Sequence, residues 1–389
     1  MTLNTFQFNT TPGIRFGSGQ AKSSCKEIFN KLGPSILFIT DKGLMSLGLT
    51  IPTIEELKKM CSVEVFDEVE ADPSQKTLLL AIERGRKIKA TGVIGFGGGS
   101  SMDVAKLSAL ILGSNEDLES AYGVANAKGP RLPLVLVPTT AGTGSEVTPI
   151  SIITVGEEEK KGVSSPIILP DLAILDPDLT VGLPAGTTAA TGIDAMVHAI
   201  EGYASSNKNN NPISKMLAVE ALKLIGRSIE TAVFDGTNVD ARGKMLVGAM
   251  LAGKAFANSP VAAVHALAYP IGGTFHVSHG LSNALVLPYV LRFNSVDPSA
   301  ANHYAELAPY VFPNLDMNQG TQKVCAEFID KMEDLSKKLG LPQKLREVKI
   351  PKEACEKMAR DAMKQTRLLV NNPREVTEAD ALNIYQAAW

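Results

Sequence analysis

The first half of the chain alternates short apolar runs with stretches of helical periodicity, and this alternation narrows the choice of fold more than any other feature. A run that is apolar throughout is typical of a parallel strand buried on both faces. Strands are predicted at residues 3–16, 35–40, 63–66, 92–96 and 133–138, and helices at residues 23–32, 54–60, 74–89 and 101–112. Such alternation indicates a parallel sheet covered by helices.

The pattern changes near residue 180, where strand signals nearly vanish and alanine-rich helical segments follow one another. Helices are predicted at residues 187–205, 212–233, 239–257, 260–270, 278–293, 299–311, 319–338 and 351–363. A length of 389 residues favours two domains. We place the boundary at residue 184, which predicts a Rossmann-like α/β domain over residues 1–184 and an all-α domain over residues 185–389.

The helical half contains a candidate metal site. Asp194 and His198 are four residues apart, so a helix would place both side chains on one face. Four of the five histidines lie between residues 198 and 279, and His265 and His279 are the candidates for two further ligands. One oxygen and three nitrogens suit Fe²⁺ or Zn²⁺. A hydrogen-bonded surface pair is the alternative, but the apolar neighbours favour a buried site whose polar groups need partners.

The α/β half contains two candidate segments for a nucleotide cofactor. Residues 97–101 (GGGSS) lie between a strand and a helix, where glycines let backbone N–H groups approach a pyrophosphate. Residues 139–146 (TTAGTGSE) follow the next buried strand. Asp41 also ends a strand, where a carboxylate can bind ribose hydroxyls and disfavour NADP. An ordinary glycine turn and a helix-capping Asp41 remain open alternatives, since the G-x-G-x-x-G pattern is missing.

The composition limits which kinds of partner the protein is expected to bind and in which cellular compartment it is expected to work. The net charge of −3 gives no basic footprint for nucleic acid or an anionic membrane. The four cysteines, at positions 25, 61, 325 and 355, form no C-x-x-C pair and are typical of reduced thiols in a cytoplasmic protein. We find no signal peptide pattern and no apolar run of membrane-spanning length.

Taken together, these motifs are similar to those of a known family. The sequence resembles the iron-containing (group III) alcohol dehydrogenases over essentially its full length. The resemblance rests on residues 97–103 (GGGSSMD), 138–146 (PTTAGTGSE), 175–179 (LDPDL), 192–201 (GIDAMVHAIE), 263–267 (AVHAL), 279–280 (HG) and the C-terminal residues 372–389.

The resemblance implies a Rossmann-like half and a helical half with the site in the cleft between them. It implies NAD(P)-linked interconversion of an alcohol with an aldehyde or ketone, and a homodimer or larger homo-oligomer. The implied metal ligands are Asp194, His198, His265 and His279. The implied cofactor residues are Asp41, Gly97, Gly98, Gly99, Ser100, Asp103, Thr139, Thr140, Thr143 and Lys161 (or Lys160), with Leu179 and Leu183 beside the nicotinamide.

One position departs from the family pattern. Many members carry a second histidine four residues after the third ligand as a proposed proton relay, and this chain has Tyr269 there. Tyrosine can donate a hydrogen bond, but its ordinary pKa of about 10 lies far above that of imidazole. We therefore treat Tyr269 as one catalytic candidate and His276, three residues before His279, as the other.

Three other functions remain open from the sequence. A hydroxyacid–oxoacid transhydrogenase would need an extra cation in its pocket, for which Lys254 is the candidate. A cyclase of the dehydroquinate synthase type needs several cationic phosphate-binding residues, and the region around the ligands is poor in them. A nucleotide-binding protein without catalysis has no need of four metal ligands. The sequence names neither the substrate nor the resident metal, because cellular supply decides between Fe²⁺ and Zn²⁺.

Overall fold

A computed structural model describes residues 5–156 and 159–389. The described chain forms two compact units, one of residues 9–182 and one of residues 183–389 together with residues 5–8. The predicted assignment of residues 1–184 and 185–389 to a dinucleotide-binding and a metal-binding domain stays a prediction. Among the described residues, none of the helices combines the length and the apolar character that a membrane span needs.

The first unit alternates strands and helices as expected. Its strands are β1 Gly13–Phe16, β2 Ser35–Ile39, β3 Ser62–Phe66, β4 Gly92–Gly97, β5 Gly123–Val124, β6 Leu134–Pro138, β7 Ile150–Val155, β8 Glu159–Ser164 and β9 Leu172–Leu175. Its helices are α1 Gln20–Ser23, α2 Cys25–Leu32, α3 Lys42–Ser46, α4 Ile51–Lys58, α5 Gln75–Lys87, α6 Gly99–Ser114 and α7 Leu118–Ala121. Residues 145–147, 166–168 and 177–180 form single 3₁₀ turns.

A six-stranded parallel sheet lies at the centre of this unit, with the strand order β1-β9-β6-β4-β2-β3. Both faces of the sheet are buried: Leu37 and Ile39 of β2 belong to one apolar cluster, and Ile36 and Phe38 to the other. Strands covered on both faces need apolar residues at every position, which is why the runs were recognisable. The predicted α/β fold with a parallel sheet is therefore confirmed.

Two parts of this unit differ from expectation. The strand predicted over residues 3–16 is limited to β1, which pairs only with β9 at the edge of the sheet; its first two residues lie outside the described chain. A second sheet of three strands, β5-β8-β7, was not predicted. The hairpin strand β8 (EKKGVS) is polar and mostly half-exposed, so it lacks the continuous apolar run that marks the central strands.

The second unit consists of helices. These are α8 Ala185–Ala204, α9 Pro212–Phe234, α10 Val239–Asn258, α11 Ala263–Phe275, α12 His279–Asn294, α13 Pro298–Val311, α14 Thr321–Lys338, α15 Ala354–Ala362, α16 Thr366–Leu369 and α17 Glu378–Ala388. The helices predicted in this half are all present, with boundaries shifted by a few residues. The last two, α16 and α17, were not predicted, although Thr377 and Asp380 form a capping box at the start of α17.

Helix α8 is the buried centre of the helical unit. It packs against α9, α10 and α12, and small residues permit the close approach. A Cβ atom on Gly192 would lie 2.7 Å from the terminal methyl groups of Ile229 and Met245, so a larger residue there would require both side chains to move. Because α8 is covered on nearly every side, its polar residues Asp194, His198 and Glu201 are buried and must find partners inside the protein.

Candidate metal centre and cofactor site

The four predicted metal ligands lie together in the helical unit. Asp194 and His198 come from α8, His265 from the first turn of α11, and His279 from the first residue of α12. Their ligand atoms all lie within 4.8 Å of one another. Three of the side chains are buried, whereas the His279 side chain is 40 % exposed, so the cluster is open on one side. It is the one such cluster found in the described residues.

A close helix contact brings His279 to α8. A Cβ atom on Gly280 would lie 2.6 Å from the carbonyl oxygen of Ala190, so the first turn of α12 can rest on α8 only because residue 280 is glycine. The preceding helix α11 ends at Phe275, and the next residue, His276, caps it in a left-handed conformation with φ of 54°. His276 is exposed at this turn, outside the cluster of ligand atoms. Its role as a proton relay stays a prediction.

Glu201 orients one of the candidate ligands. Its carboxylate accepts a 2.6 Å hydrogen bond from Nδ1 of His265 and a 2.7 Å hydrogen bond from the backbone N–H of Val264. With its proton on Nδ1, His265 keeps the lone pair on Nε2 for a metal. We did not predict this role from the sequence. The signal was present, because Glu201 is three residues after His198 and so shares its helix face.

Asn283 adds a second unpredicted group, one helical turn after His279. Its amide nitrogen donates to Oδ1 of Asp194 at 2.6 Å and lies 3.3 Å from Nε2 of both His265 and His279. Its amide oxygen is buried and has no hydrogen-bond partner among the described residues. Several lone pairs thus converge on a small space beside the Asn283 amide, which is the environment a cation would satisfy.

The electrostatics of the cluster keep a negative ligand available. Burial by itself raises the pKa of Asp194, but the nearby imidazoles of His198, His279 and His265 and the amide of Asn283 together lower it below its ordinary value. Asp194 is therefore a carboxylate at neutral pH. One carboxylate oxygen and three imidazole nitrogens match the ligand preference of Fe²⁺ and Zn²⁺, so the residues present fit the predicted metal.

Tyr269 lies at the edge of the cluster, where its ring centroid is 6.1 Å from that of His279. Its phenol oxygen accepts a 3.2 Å hydrogen bond from the guanidinium of Arg367, which also lies near the ring face. Because Arg367 has only donors, the hydroxyl hydrogen of Tyr269 is not used in this bond and can point to another acceptor.

The two predicted cofactor segments are adjacent in the α/β unit. Gly97 and Gly98 connect β4 to α6, and a Cβ atom on Gly97 would lie 2.6 Å from the hydroxyl of Ser101. The backbone N–H of Thr139 donates to the carbonyl of Gly97 at 3.0 Å. The position of a Cβ atom on Gly99 is 3.1 Å from the methyl group of Thr143. Ser100 is in the first turn of α6, and Thr140 packs near Gly98.

Other predicted cofactor residues already have partners within the protein. Asp41 follows β2 and caps α3 by accepting from the backbone N–H of Leu44 at 2.9 Å, as the capping alternative expected. Lys161 of β8 forms a 3.2 Å ion pair with Glu119. Both carboxylate oxygens of Asp103 accept hydrogen bonds. Their contacts with a cofactor stay predictions.

The two residues predicted beside the nicotinamide belong to different units. Leu179 lies in the 3₁₀ turn of residues 177–180 in the α/β unit. Leu183 is the first residue of the longer segment of the helical unit, and its carbonyl accepts a 3.1 Å hydrogen bond from Arg242. Their roles stay predictions.

Comparisons with known proteins cover nearly the whole chain. Residues 11–177 match the family described as iron-containing alcohol dehydrogenase, and residues 188–389 match the C-terminal region of the Fe-containing alcohol dehydrogenase family. The long-chain-alcohol dehydrogenase 1 of Geobacillus thermodenitrificans is 42 % identical over 361 residues, which are 91 % of this chain and 89 % of that protein. The 1,3-propanediol dehydrogenase of Citrobacter freundii is 35 % identical over the full length of both chains.

Solved structures agree with these matches. A crystal structure of 1,3-propanediol oxidoreductase superposes with a TM-score of 0.94 at 32 % identity, covering 99 % of this chain and all of the other. The sulfoacetaldehyde reductase of Bifidobacterium kashiwanohense in complex with NAD⁺ has a TM-score of 0.85 at 29 % identity, with 99 % and 98 % coverage. These relatives are dehydrogenases and reductases, so the transhydrogenase, the cyclase and the non-enzymatic protein are not favoured. The chain belongs to the iron-containing alcohol dehydrogenase family and is an NAD-linked, metal-dependent oxidoreductase (Fe²⁺ or Zn²⁺) that interconverts an alcohol and a carbonyl compound.

Proposed function

We propose that Asp194, His198, His265 and His279 bind the single catalytic metal ion, with Fe²⁺ as the native ion and Zn²⁺ as its competitor. The observation that carries this proposal is the convergence of their four ligand atoms within 4.8 Å. When bound there, the metal would supply Lewis acidity and the nicotinamide would supply the hydride chemistry of the reaction.

The residues of the chain prepare this site in distinct ways. Asp194 supplies the one negative ligand, so the loaded site keeps a net positive charge beside the substrate oxygen. Glu201 holds His265 in the tautomer that leaves Nε2 unprotonated. Tyr269 donates its hydroxyl hydrogen to the substrate oxygen or to a water molecule, while Arg367 fixes the phenol oxygen from the other side. In the direction of carbonyl reduction, this hydrogen bond stabilises the charge that develops on the substrate oxygen.

The α/β unit would hold NAD(H) at the carboxyl ends of its central strands. The glycine turn before α6 presents backbone N–H groups and the positive end of the helix dipole, both of which favour a pyrophosphate. Thr139, Thr140 and Thr143 add hydroxyl groups beside the same turn. Asp41 supports a preference for NAD over NADP, because its carboxylate at the end of β2 would repel a 2′-phosphate.

For the substrate, we propose a primary alcohol and the corresponding aldehyde. The support comes from the relatives, whose names include a long-chain-alcohol dehydrogenase, a 1,3-propanediol dehydrogenase, a methanol dehydrogenase and a sulfoacetaldehyde reductase. A series of primary alcohols from methanol to long chains, tested beside secondary alcohols of matched length, decides this point. Faster turnover of the secondary series would contradict the proposal.

The metal assignment is tested by His265→Ala, with His276→Ala as a matched control on an exposed histidine outside the cluster. The proteins are prepared without air, and bound metal is measured by mass spectrometry. We expect His265→Ala to lose metal and activity together and His276→Ala to retain one metal per chain. One metal per chain in the His265→Ala protein would refute the ligand assignment.

We also propose that the protein is a cytoplasmic homodimer or a larger homo-oligomer. Four free thiols support a reducing compartment. The outer edge of β1 supports self-association, because an edge strand offers unpaired backbone groups to a second copy. A monomeric mass in light scattering at micromolar concentration would rule out the oligomer.

A further inference from the structure

Lys106 is a lysine in the middle of α6 that is completely buried. Its ammonium group donates three hydrogen bonds: to the hydroxyl of Ser145 at 2.8 Å, to the hydroxyl of Thr148 at 3.2 Å and to the carbonyl of Ile150 at 2.7 Å. An ammonium group has three hydrogens, so its donors are all used. All three acceptors lie on the segment that follows β6, which also carries Thr140 and Thr143.

Asp103, one turn earlier on α6, binds the same segment. Its carboxylate accepts from the hydroxyl of Ser145 at 2.8 Å and from the backbone N–H of Ile152 at 2.9 Å. Its carboxylate oxygen lies 3.9 Å from the ammonium of Lys106. Ser145 therefore receives a hydrogen bond from the lysine and gives one to the aspartate. We call these four residues, Asp103, Lys106, Ser145 and Thr148, the α6 clamp.

The α6 clamp leads directly to the candidate pyrophosphate site. The backbone N–H of Ser145 donates to the hydroxyl oxygen of Thr143 at 3.2 Å, and Thr143 in turn packs against Gly99 at the start of α6. The position of the Thr143 hydroxyl relative to the helix N-terminus thus depends on bonds made one to two turns further along the helix, and Thr140 lies three residues earlier on the same segment. Asp103 reaches this site through Ser145, whose hydroxyl donates to one of its carboxylate oxygens.

Burying a cation to hold a loop against a helix carries a large desolvation cost in the free energy of folding. Burial lowers the pKa of Lys106 to about 8 in spite of the carboxylates of Asp103 and Glu146, which raise it. Apolar side chains of similar volume often stabilise a fold as well as a buried ion pair does, so packing alone does not explain this network. The network also fixes geometry, because its three hydrogen bonds define one position of the segment relative to the helix.

We propose that Lys106 is a positioning residue for the NAD pyrophosphate, acting through the α6 clamp to hold Thr140 and Thr143 at a fixed place beside the glycine turn. This inference rests on the proposed binding of NAD(H) by these two segments. It assigns a function to a buried charge that does not itself touch the cofactor. In this view the clamp preforms the site, so that binding the cofactor does not require ordering the loop.

The test compares three variants with the full-length protein. Ser145→Ala removes the hydroxyl that joins both charges. Lys106→Met keeps the length of the side chain but leaves Asp103 as an uncompensated, largely buried carboxylate, which endangers folding. The double variant Asp103→Asn with Lys106→Met removes that charge and restores neutrality, while the donors to Thr148 and Ile150 stay lost. Lys87→Met, an exposed lysine of α5, is the matched control.

The readouts are dissociation constants for NADH, from nicotinamide fluorescence, and for ADP, which carries the pyrophosphate without nicotinamide. Losing a charge-assisted hydrogen bond weakens an interaction by roughly tenfold or more. We expect the double variant and Ser145→Ala to bind both NADH and ADP about tenfold to a hundredfold more weakly, with thermal unfolding and metal content near those of the unaltered protein. Lys87→Met should bind both ligands normally.

Two results would overturn the inference. One is a folded double variant that binds NADH within twofold of the unaltered protein. The other is a loss of NADH affinity without a loss of ADP affinity, which would place the effect away from the pyrophosphate. A failure of the proposed function looks different, because the unaltered protein would then bind neither NADH nor ADP.

Discussion

Replacing Glu201 with glutamine tests whether the buried carboxylate sets the chemistry of the metal cluster. Glu201 accepts two hydrogen bonds, one from Val264 N–H at 2.7 Å and one from His265 Nδ1 at 2.6 Å. Glutamine has nearly the same shape but only one acceptor oxygen, and its amide nitrogen only donates. If the oxygen faces Val264, the amide nitrogen faces Nδ1, and His265 must move its proton to Nε2. That nitrogen then has no lone pair for a metal.

The size of the effect follows from the two bonds. If the glutamine oxygen faces His265 instead, the N–H of Val264 is left against another donor in a buried place, which costs about 1–3 kcal/mol of the free energy of folding. The glutamine variant therefore has either this penalty or the tautomer of His265 that cannot bind a metal through Nε2. Loss of a carboxylate that orients a ligating histidine weakens metal binding by roughly tenfold to a hundredfold, or about 1.4–2.7 kcal/mol.

The assay titrates Zn²⁺ into metal-free protein in competition with a chromophoric chelator. Zn²⁺ is the stable probe because it does not oxidise in air. Glu306→Gln is the matched control, since Glu306 accepts a 2.7 Å hydrogen bond from Tyr203 on an exposed part of the helical unit. We expect normal Zn²⁺ affinity for the control and weakened affinity for Glu201→Gln. A Glu201→Gln protein whose Zn²⁺ affinity lies within twofold of the original would refute the tautomer argument.

Three further changes probe the other parts of the site. Asn283→Leu should weaken Zn²⁺ binding about tenfold, since it removes the donor to Asp194, and equal affinity would contradict the role of the amide. The variant should unfold at an unchanged or higher temperature, because it also removes the amide oxygen, which is buried and has no partner among the described residues. Asp41→Gly should reduce the ratio of kcat/KM for NAD over NADP, and an unchanged ratio would leave Asp41 as a helix cap alone. Tyr269→Phe should keep its metal and slow hydride transfer by roughly tenfold to a hundredfold, or about 1.4–2.7 kcal/mol of barrier; unchanged pre-steady-state rates would mean that the ring only packs.

The fold and the convergence of the cluster could be predicted because their signals are local. The central strands are apolar at every position, and Asp194 and His198 are one helical turn apart. The gathering of the histidines in one window then narrowed the choice of further ligands. The motifs shared with a family indicated that segments distant in the chain meet. Periodicity does not indicate this, because it reports only on neighbouring residues.

The residues that support the cluster could not be predicted in the same way. Glu201 and Asn283 each lie one helical turn from a candidate ligand, but Glu201 reaches His265 across 64 positions and Asn283 reaches Asp194 across 89, so the sequence does not show which partner either one contacts. The half-exposed strand β8 was missed because its polar residues resemble those of a loop. The apolar residues on both sides of Lys106 indicate a buried helix, but its three acceptors lie 39, 42 and 44 positions away, so the sequence does not show how its ammonium group is satisfied.

The distribution of the candidate ligands has a consequence for how the protein unfolds. All four candidate metal ligands belong to the helical unit, and α9 and α10 lie between the first pair and the second pair in the chain, so a bound ion would act as a cross-link among three helices. An ion at a hundred times its Kd would add about 2.7 kcal/mol to the free energy of unfolding. The glycine turn and its threonines belong to the other unit. In calorimetry, a chelator should therefore lower the melting temperature of the helical unit, whereas NADH should raise that of the α/β unit.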